Sequence, residues 1–380
     1  MTIQLEQFRA GQFEKGYEYR FFLPTNINDE WIWQNPQVNA LLEKAAIKLG
    51  ELNSFARLVP NIDLFIQLHV TKEAVVSSRI EGTQTNMQQA VLSEAEISPE
   101  HRNDWREVQN YIEALNQAIT TLQTLPLSSR LLKETHAILL SNVRGEHKLP
   151  GEFRISQNWI GGNSLSDATF IPPHHQYVND LMSDLERFLH NDDVHVPALI
   201  RVAIAHYQFE TIHPFLDGNG RIGRLLITLF LVNAGILDKP LLYLSSYFEK
   251  NKGLYYDNLM RVRTHSDMLQ WLKYFLVGIE QTASLAVHTL SEILKLKARL
   301  EKELQQSFGR RNASAQLLLN SLFEQPATSV EDASRICDLS YKAANDLIGL
   351  MSKHEILHEV TGQTRNRVFV FAPYLDIFDN

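Results

Sequence analysis

A single cysteine, Cys337, stands in 380 residues. No intramolecular disulfide is available, so disulfide-stapled folds are excluded and a reducing compartment, the cytoplasm, is expected. Long apolar runs are missing as well. The most apolar stretch, LLITLFLVNAGIL from Leu225 to Leu237, is too short to cross a bilayer and predicts a buried helix. The opening residues, MTIQLEQFRAGQFEKG, lack the apolar centre of a secretion signal. Basic residues are in deficit: 36 Lys and Arg face 44 Asp and Glu, a formal charge of −8. That balance argues against a protein whose main task is coating nucleic acid or an anionic membrane. No unit of roughly 20 to 50 residues recurs, which excludes repeat architectures.

What is present reads mostly as helix. Apolar residues recur at three- and four-residue steps over Pro36–Leu58, with proline near the start, and again over 65–82, which stops at glycine. Further helices are predicted over 105–122, 128–140 and 197–212, and a long amphipathic one over 283–308. Two regions break the pattern. Residues 153–176 hold two short β-like runs around a Gly/Asn/Ser/Asp turn and predict a hairpin inserted among helices. The tail after Arg311 reads helix, tight turn, helix, strand, turn, strand, a winged helix-turn-helix pattern. Its expected core is Ala333, Ile336, Leu339, Ala344, Leu347, Ile348 and Met351. Residues 309–380 carry seven Lys/Arg against nine Asp/Glu, and Asp346 joins Lys342 and Lys353 on the second helix, so a protein-contact module is favoured over a DNA reader.

The densest concentration of chemistry is HPFLDGNGRIGR, His213 to Arg224. Its Gly218, Gly220 and Gly223 have the spacing of a dinucleotide fingerprint, but that motif must follow a buried strand inside a βαβ unit. Here a helical segment precedes it, so the Rossmann reading fails. Pro214 turns His213 out of helical geometry. The LDGNG loop then feeds a buried helix, whose N-terminal amides make an anion site. Arg221 and Arg224, three apart, share one face and can reach one phosphate chain. Asp217 is placed to hold a Mg²⁺ that bridges phosphates. His213, with an unperturbed pKa of about 6.5, suits a general base. Taken singly these residues also fit a turn histidine, a solvated arginine pair and a plain turn; their coincidence within one short stretch favours the functional reading.

The string matches the H-x-F-x-D/E-G-N-G-R-x-x-R motif of the Fic family of nucleotidyltransferases, and the stretches from Gly151 to His190 and Leu241 to Arg263 resemble that family too. The resemblance implies a mainly α Fic-fold core over 100–284. A helical region over 1–99 precedes it, with a connecting helix over 285–308 and the winged-helix-like domain over 309–380 after it. It implies transfer of AMP from ATP, with Mg²⁺, to a Tyr, Ser or Thr hydroxyl of a target protein or of the chain itself, releasing pyrophosphate. His213 would be the base and Asp217 the metal ligand. ATP would be held by Gly218, Asn219, Gly220, Arg221, Ile222, Gly223 and Arg224, with Tyr255 and Tyr256 beside it. Thr169, Phe170 and Ile171 would form the flap that covers nucleotide and target. Relatives that are kinases carry lysine at the position of Gly220; this chain does not. Many members of the family associate, so a homodimer is compatible with the resemblance; the charge balance and the short apolar runs speak against nucleic acid and membrane as partners.

A second motif precedes the first. In SSRIEG, Ser77 and Glu81 lie one turn apart and Glu81 opposes the helix dipole. Ser77, Glu81 and Gly82 resemble the family's S/T-x-x-x-E-G/N inhibitory motif, which implies that Glu81 pairs with Arg224 and blocks the γ-phosphate anchor. In some relatives the same glutamate serves removal of AMP. Two other classes compete with this reading: a nucleotide-sensing DNA-binding regulator, and a metal hydrolase using His206, His213, His174 and His175.

Overall fold

The computed structural model describes residues 2–379, and its architecture is carried by helices whose ends follow local chemistry. Pro36–Leu58 starts where Asn35 accepts hydrogen bonds from the Gln37 and Val38 amides, with Pro36 at the first helical position. Ser128 caps Ser129–Leu139 in the same way, accepting from Leu131. At the centre, Ala198–Ile212 is buried from Leu199 onward, and Asn219–Asn233 packs against it. Asp63–Ile80, Arg102–Thr121 and Ser129–Leu139 pack around this pair. One continuous apolar core runs from Leu5 to Phe378.

Several expectations change. The region 1–99 is not wholly helical: Thr2–Gln4 pairs in parallel with Glu30–Ile32, and Gly11–Lys15 forms an antiparallel hairpin with Arg20–Pro24. The aromatic residues of this stretch, Phe13, Tyr19, Phe21 and Phe22, favour strands and outweigh the helical setting. The connecting helix over 285–308 is no separate element but the second half of Met268–Ser307, because neither proline nor a terminating glycine interrupts it. The flap hairpin shrinks to a single antiparallel bridge, Ile160 with Phe170. Beyond it the Asp167 carboxylate takes the Asn163 and Ser164 amides, which closes the loop by side chain and leaves no ladder to extend.

The tail has the expected helix, turn, helix and strand pair: Val330–Cys337, Tyr341–Lys353, then His358–Glu359 against Val368–Val370. A third strand, Ala327–Ser329, and flanking helices Asn312–Glu324 and Ala372–Asp379 complete it. Ala333, Ala344, Leu347, Ile348 and Met351 are buried as expected and Leu339 partly so, but Ile336 is exposed. Val330, Ala333 and Cys337 share the inward stripe of that helix, and Ile336 falls outside it.

Candidate active site

The loop between Ala198–Ile212 and Asn219–Asn233 is built by its own residues. His213 ends the first helix in left-handed geometry, φ 51°, ψ 61°, with its amide still bonded to the Phe209 carbonyl at 2.9 Å. Its own carbonyl accepts from Arg154 Nε at 3.0 Å and Asn158 Nδ2 at 3.1 Å, so two flap residues hold the strained turn. Asn219 closes the loop from the other end. Its Oδ1 accepts from the Phe215 amide and its Nδ2 donates to the Phe215 carbonyl, both at 2.8 Å. Gly218 starts the second helix at φ 72°, a conformation that favours glycine.

His136 supports the loop from below. Its Nδ1 accepts from the Gly151 amide at 2.9 Å, so Nε2 carries the proton and donates to the Asp217 carbonyl at 3.0 Å. Its ring stacks on Phe215 at 3.8 Å. Burial pushes its pKa down to about 4, which keeps the ring neutral in this role. Burial does the same to His213, aided by the nearby Arg263 and Arg154 guanidinium groups, and lowers it to about 3. Its Nδ1 is buried without a hydrogen-bond partner. The imidazole therefore stands unprotonated at neutral pH, able to accept a proton.

The two arginines are held by different helices. Arg221, buried, pairs through Nη1 with Glu107 Oε2 at 3.1 Å on Arg102–Thr121. Arg224 is gripped three times by the end of Asp63–Ile80. Its Nε donates to Ser77 Oγ at 2.8 Å, and its Nη2 donates to the Ser77 carbonyl at 2.9 Å and to Glu81 Oε1 at 2.7 Å. Burial would raise the Glu81 pKa, but Arg224 more than offsets it and holds the carboxyl below its ordinary value. For Arg224 burial again opposes, and Glu81 keeps the guanidinium above its ordinary range. A Cβ on Gly220 would overlap the Glu81 carboxylate, so a glycine there is what lets the acid reach the arginine. Gly82 follows at φ 109° and ends the helix.

Asp217 keeps its carboxyl part-exposed, with Oδ1 accepting from the Gly218 amide at 2.6 Å and 4.0 Å from Arg221 Nη2. Among the described residues no group of three or more His, Cys, Asp or Glu gathers to hold a metal by itself. A lone carboxylate beside a phosphate cradle suits Mg²⁺, which takes one or two protein oxygens and fills its sphere with phosphate and water. His206 is spoken for: its Nδ1 donates to the Gly223 carbonyl at 2.8 Å and its Nε2 accepts from the Tyr255 hydroxyl at 3.0 Å.

That bond also shows where Tyr255 lies. It is buried against Phe248 and His206, so its hydroxyl serves the core, whereas Tyr256 is part-exposed. Ile222 is a core residue of the second helix. In the flap Thr169 is exposed and Phe170 is buried beneath the Arg263 guanidinium, 3.9 Å from the ring centre. The Ile171 carbonyl accepts from the Phe22 amide at 3.0 Å, so the N-terminal hairpin already sits on the flap. Sequence reasoning missed this pairing, as it missed Glu107, His136, Arg154 and Asn158. Glu107 and His136 did stand on predicted helices, but no spacing links them to residues some eighty or more positions later.

Residues 39–120 match the Fic/DOC family N-terminal model and residues 126–231 the Fic/DOC family model. The chain carries a Fic/DOC N-terminal domain followed by a Fic/DOC domain. Among curated proteins, the chain is 32% identical over 173 residues to "Protein adenylyltransferase Fic" of Culex quinquefasciatus, covering 43% of this chain and 32% of that protein. The namesake from Aedes aegypti is 32% identical over 144 residues, 38% of this chain and 26% of that protein. The chain thus spans a third or less of the length of these relatives. Among solved structures, a Fic family protein from Desulfovibrio desulfuricans superposes with a TM-score of 0.55 at 18% identity, covering 89% of this chain and 96% of that one. A Fic-domain signalling protein from Bacteroides thetaiotaomicron gives 0.52 at 20% identity, covering 65% and 95%. These two likenesses establish a Fic fold. Among the described residues no helix is long and apolar enough to cross a membrane.

Proposed function

We propose that this Fic protein is an autoinhibited protein adenylyltransferase, which moves AMP from ATP to a hydroxyl on a target protein. The observation that carries it is the place of Arg224: a buried guanidinium in the first turns of the motif helix, beside an anion cradle, and occupied by Glu81 at 2.7 Å. A buried cation at a helix N-terminus needs an anion. Glu81 fills that need at rest; the γ-phosphate of ATP fills it in the working state.

The chemistry follows from the loop. The acceptor oxygen attacks the α-phosphorus, the bond to the bridging oxygen breaks and pyrophosphate leaves. His213 takes the hydroxyl proton. Arrival of a polyphosphate favours the cationic imidazole and moves its depressed pKa upward, toward the range of an effective base. The amides around Gly218 to Gly220 would face the phosphates, in a loop whose shape Asn219 and His136 hold in advance. Bound at Asp217, Mg²⁺ would neutralise charge on the α- and β-phosphates. A target protein would present its hydroxyl along the flap near Thr169. Homodimerisation, a cytoplasmic setting and a role for Tyr256 at the nucleotide belong to the same reading.

The test is label transfer from ATP carrying radioactive α-phosphate, with Mg²⁺, onto the protein and a cell lysate. Wild type, Glu81→Gly and Glu81→Gly/His213→Ala are compared. Strong labelling by the single variant that vanishes in the double one is expected. Silence from all three folded proteins, with ATP bound, would overturn the assignment.

A further inference from the structure

The helix that ends in the brake is held on two neighbouring faces. Toward the Fic core, Glu73 accepts from the Tyr111 hydroxyl at 2.8 Å and from Ser245, while Ser77 holds Arg224. On the adjacent face Phe65, His69 and Lys72, spaced four and three apart on one stripe, meet the last part of the chain. The Phe65 ring stands edge-on to Phe323 at 5.5 Å, and the His69 ring edge-on to Phe378 at 4.9 Å. The Lys72 ammonium donates to the Phe378 carbonyl. Phe65, His69, Phe323 and Phe378 are all buried, so the seam excludes water.

We propose that the C-terminal domain sets the strength of the brake. By gripping the Phe65–His69–Lys72 stripe it fixes the position of the Asp63–Ile80 helix, and loosening that grip frees Glu81 from Arg224. This rests on the adenylyltransferase reading above. The physical argument is one of leverage. Lys72 and Glu81 are nine residues apart, about 14 Å along one unbroken helix, so a displacement at the seam is carried to the brake. The Arg224–Glu81 contact at 2.7 Å leaves hydrogen-bond reach after a shift of about 1 Å. The seam includes none of the cradle or flap residues; the domain also packs on Met268–Ser307 and Met87–Ala90, but the Asp63–Ile80 helix is the one that carries Ser77 and leads into Glu81.

The experiment uses full-length protein and the same label transfer, with Phe378→Ala, Lys72→Met, Glu81→Gly and Glu81→Gly/Phe378→Ala. Phe378→Ala should raise transfer on the order of 5-fold or more, the scale of an ordinary coupling between sites. It should add nothing to Glu81→Gly, since a brake already removed cannot be loosened. Hydrogen exchange of the 77–82 amides should quicken in Phe378→Ala, and Phe378→Leu should restore the slow rate. A folded Phe378→Ala with wild-type transfer beside an active Glu81→Gly overturns the proposal, as does an increase that adds to that of Glu81→Gly. Should Phe378→Ala fail to fold, Lys72→Met decides by the same two criteria. A silent Glu81→Gly that still binds ATP overturns the reading beneath.

Discussion

Replacing Glu81 by glutamine keeps the shape of the side chain and removes the charge that Arg224 holds. Removing one member of a fully buried ion pair costs about 3–5 kcal/mol, because the other charge is stranded. Here Arg224 is 2% exposed at its side chain and Glu81 34%, and Arg224 keeps both Ser77 bonds. Solvent at Glu81 and those remaining bonds reduce the expected loss to about 1–2 kcal/mol. The loss is specific, since an anion delivered to Arg224 repairs it. Urea unfolding at pH 7.5 with Mg²⁺ should therefore show Glu81→Gln less stable than wild type without nucleotide. On the proposed brake, in which Glu81 denies the third phosphate its anchor, ATP and ADP should stabilise the wild type almost equally. In the variant ATP should exceed ADP by about 1.5–3 kcal/mol, the value of a hydrogen bond to a charged group. Equal stabilisation of the variant by ATP and ADP would refute the idea that Arg224 is the γ-phosphate anchor.

Stability should fall on acidification. Burial holds His69 and His136 at about 4 and His206 and His213 at about 3, below the unfolded 6.5, so their contribution is present above pH 6.5 and lost as pH falls toward those values. Burial raises Glu73 and Glu210 to about 7, so theirs is full below 4.5 and lost as pH rises through 7. The carboxyls cancel two of the four histidines, which leaves a net uptake of about two protons on unfolding near pH 5.5 from these groups, so stability falls as pH falls; denaturation midpoints that stay level from pH 7 to 5 would contradict it. Glu107→Ala strands the buried Arg221 and should cost about 3–5 kcal/mol in urea unfolding, and a variant of wild-type stability would remove Glu107 from the supporting frame. Asn219→Ala loses both bonds to Phe215 and should lower label transfer at least about 10-fold in the Glu81→Gly background. Asn219→Asp should not rescue it, because a carboxylate cannot donate to the Phe215 carbonyl; full activity in either variant would show that the loop needs no such clamp.

The parts of the site that a reader of the sequence can find are those whose geometry is local. His213 before proline and Gly218 in a tight loop predict a conformation from their neighbours, and the structure holds it; Gly220 instead lies inside Asn219–Asn233 in ordinary helical geometry, and what needs a glycine there is the Glu81 carboxylate. Ser77 and Glu81 are local to each other in the same sense, but their meeting with Arg224 across 143 positions enters only through family resemblance. Glu107, His136, Arg154 and Asn158 have no such help. Each is an ordinary polar residue whose role exists only once the chain has folded, so nothing in its own neighbourhood marks it. The N-terminal hairpin fails for a related reason. Its strand propensity is plain in Phe13, Tyr19, Phe21 and Phe22, yet what it pairs with is a flap carbonyl at Ile171, far along the chain. Tyr255 shows the converse, a residue matched by motif whose hydroxyl the core has taken for His206.

The electrostatics decide how the proposed brake would work. A guanidinium as buried as Arg224 favours an anion beside it, so on the proposed function release of Glu81 and arrival of the γ-phosphate would form a single exchange. The helix body resists withdrawal. Glu73 is tied to Tyr111 and Ser245, and Phe65 and His69 are packed against Phe323 and Phe378, so pulling the whole helix away exposes buried polar groups and rings together. Its last turn is a cheaper place to move, because Glu81 is part-exposed and is followed at once by Gly82 at φ 109°. The two anchors of Arg224 then differ in kind. The Ser77 carbonyl and hydroxyl belong to the fixed body and can keep their hold while the nucleotide binds, whereas the Glu81 carboxylate belongs to the turn that yields. An arginine steadied by serine and contested by glutamate and phosphate would stay in position through the exchange, and one residue would then serve both the resting and the working state of the proposed enzyme.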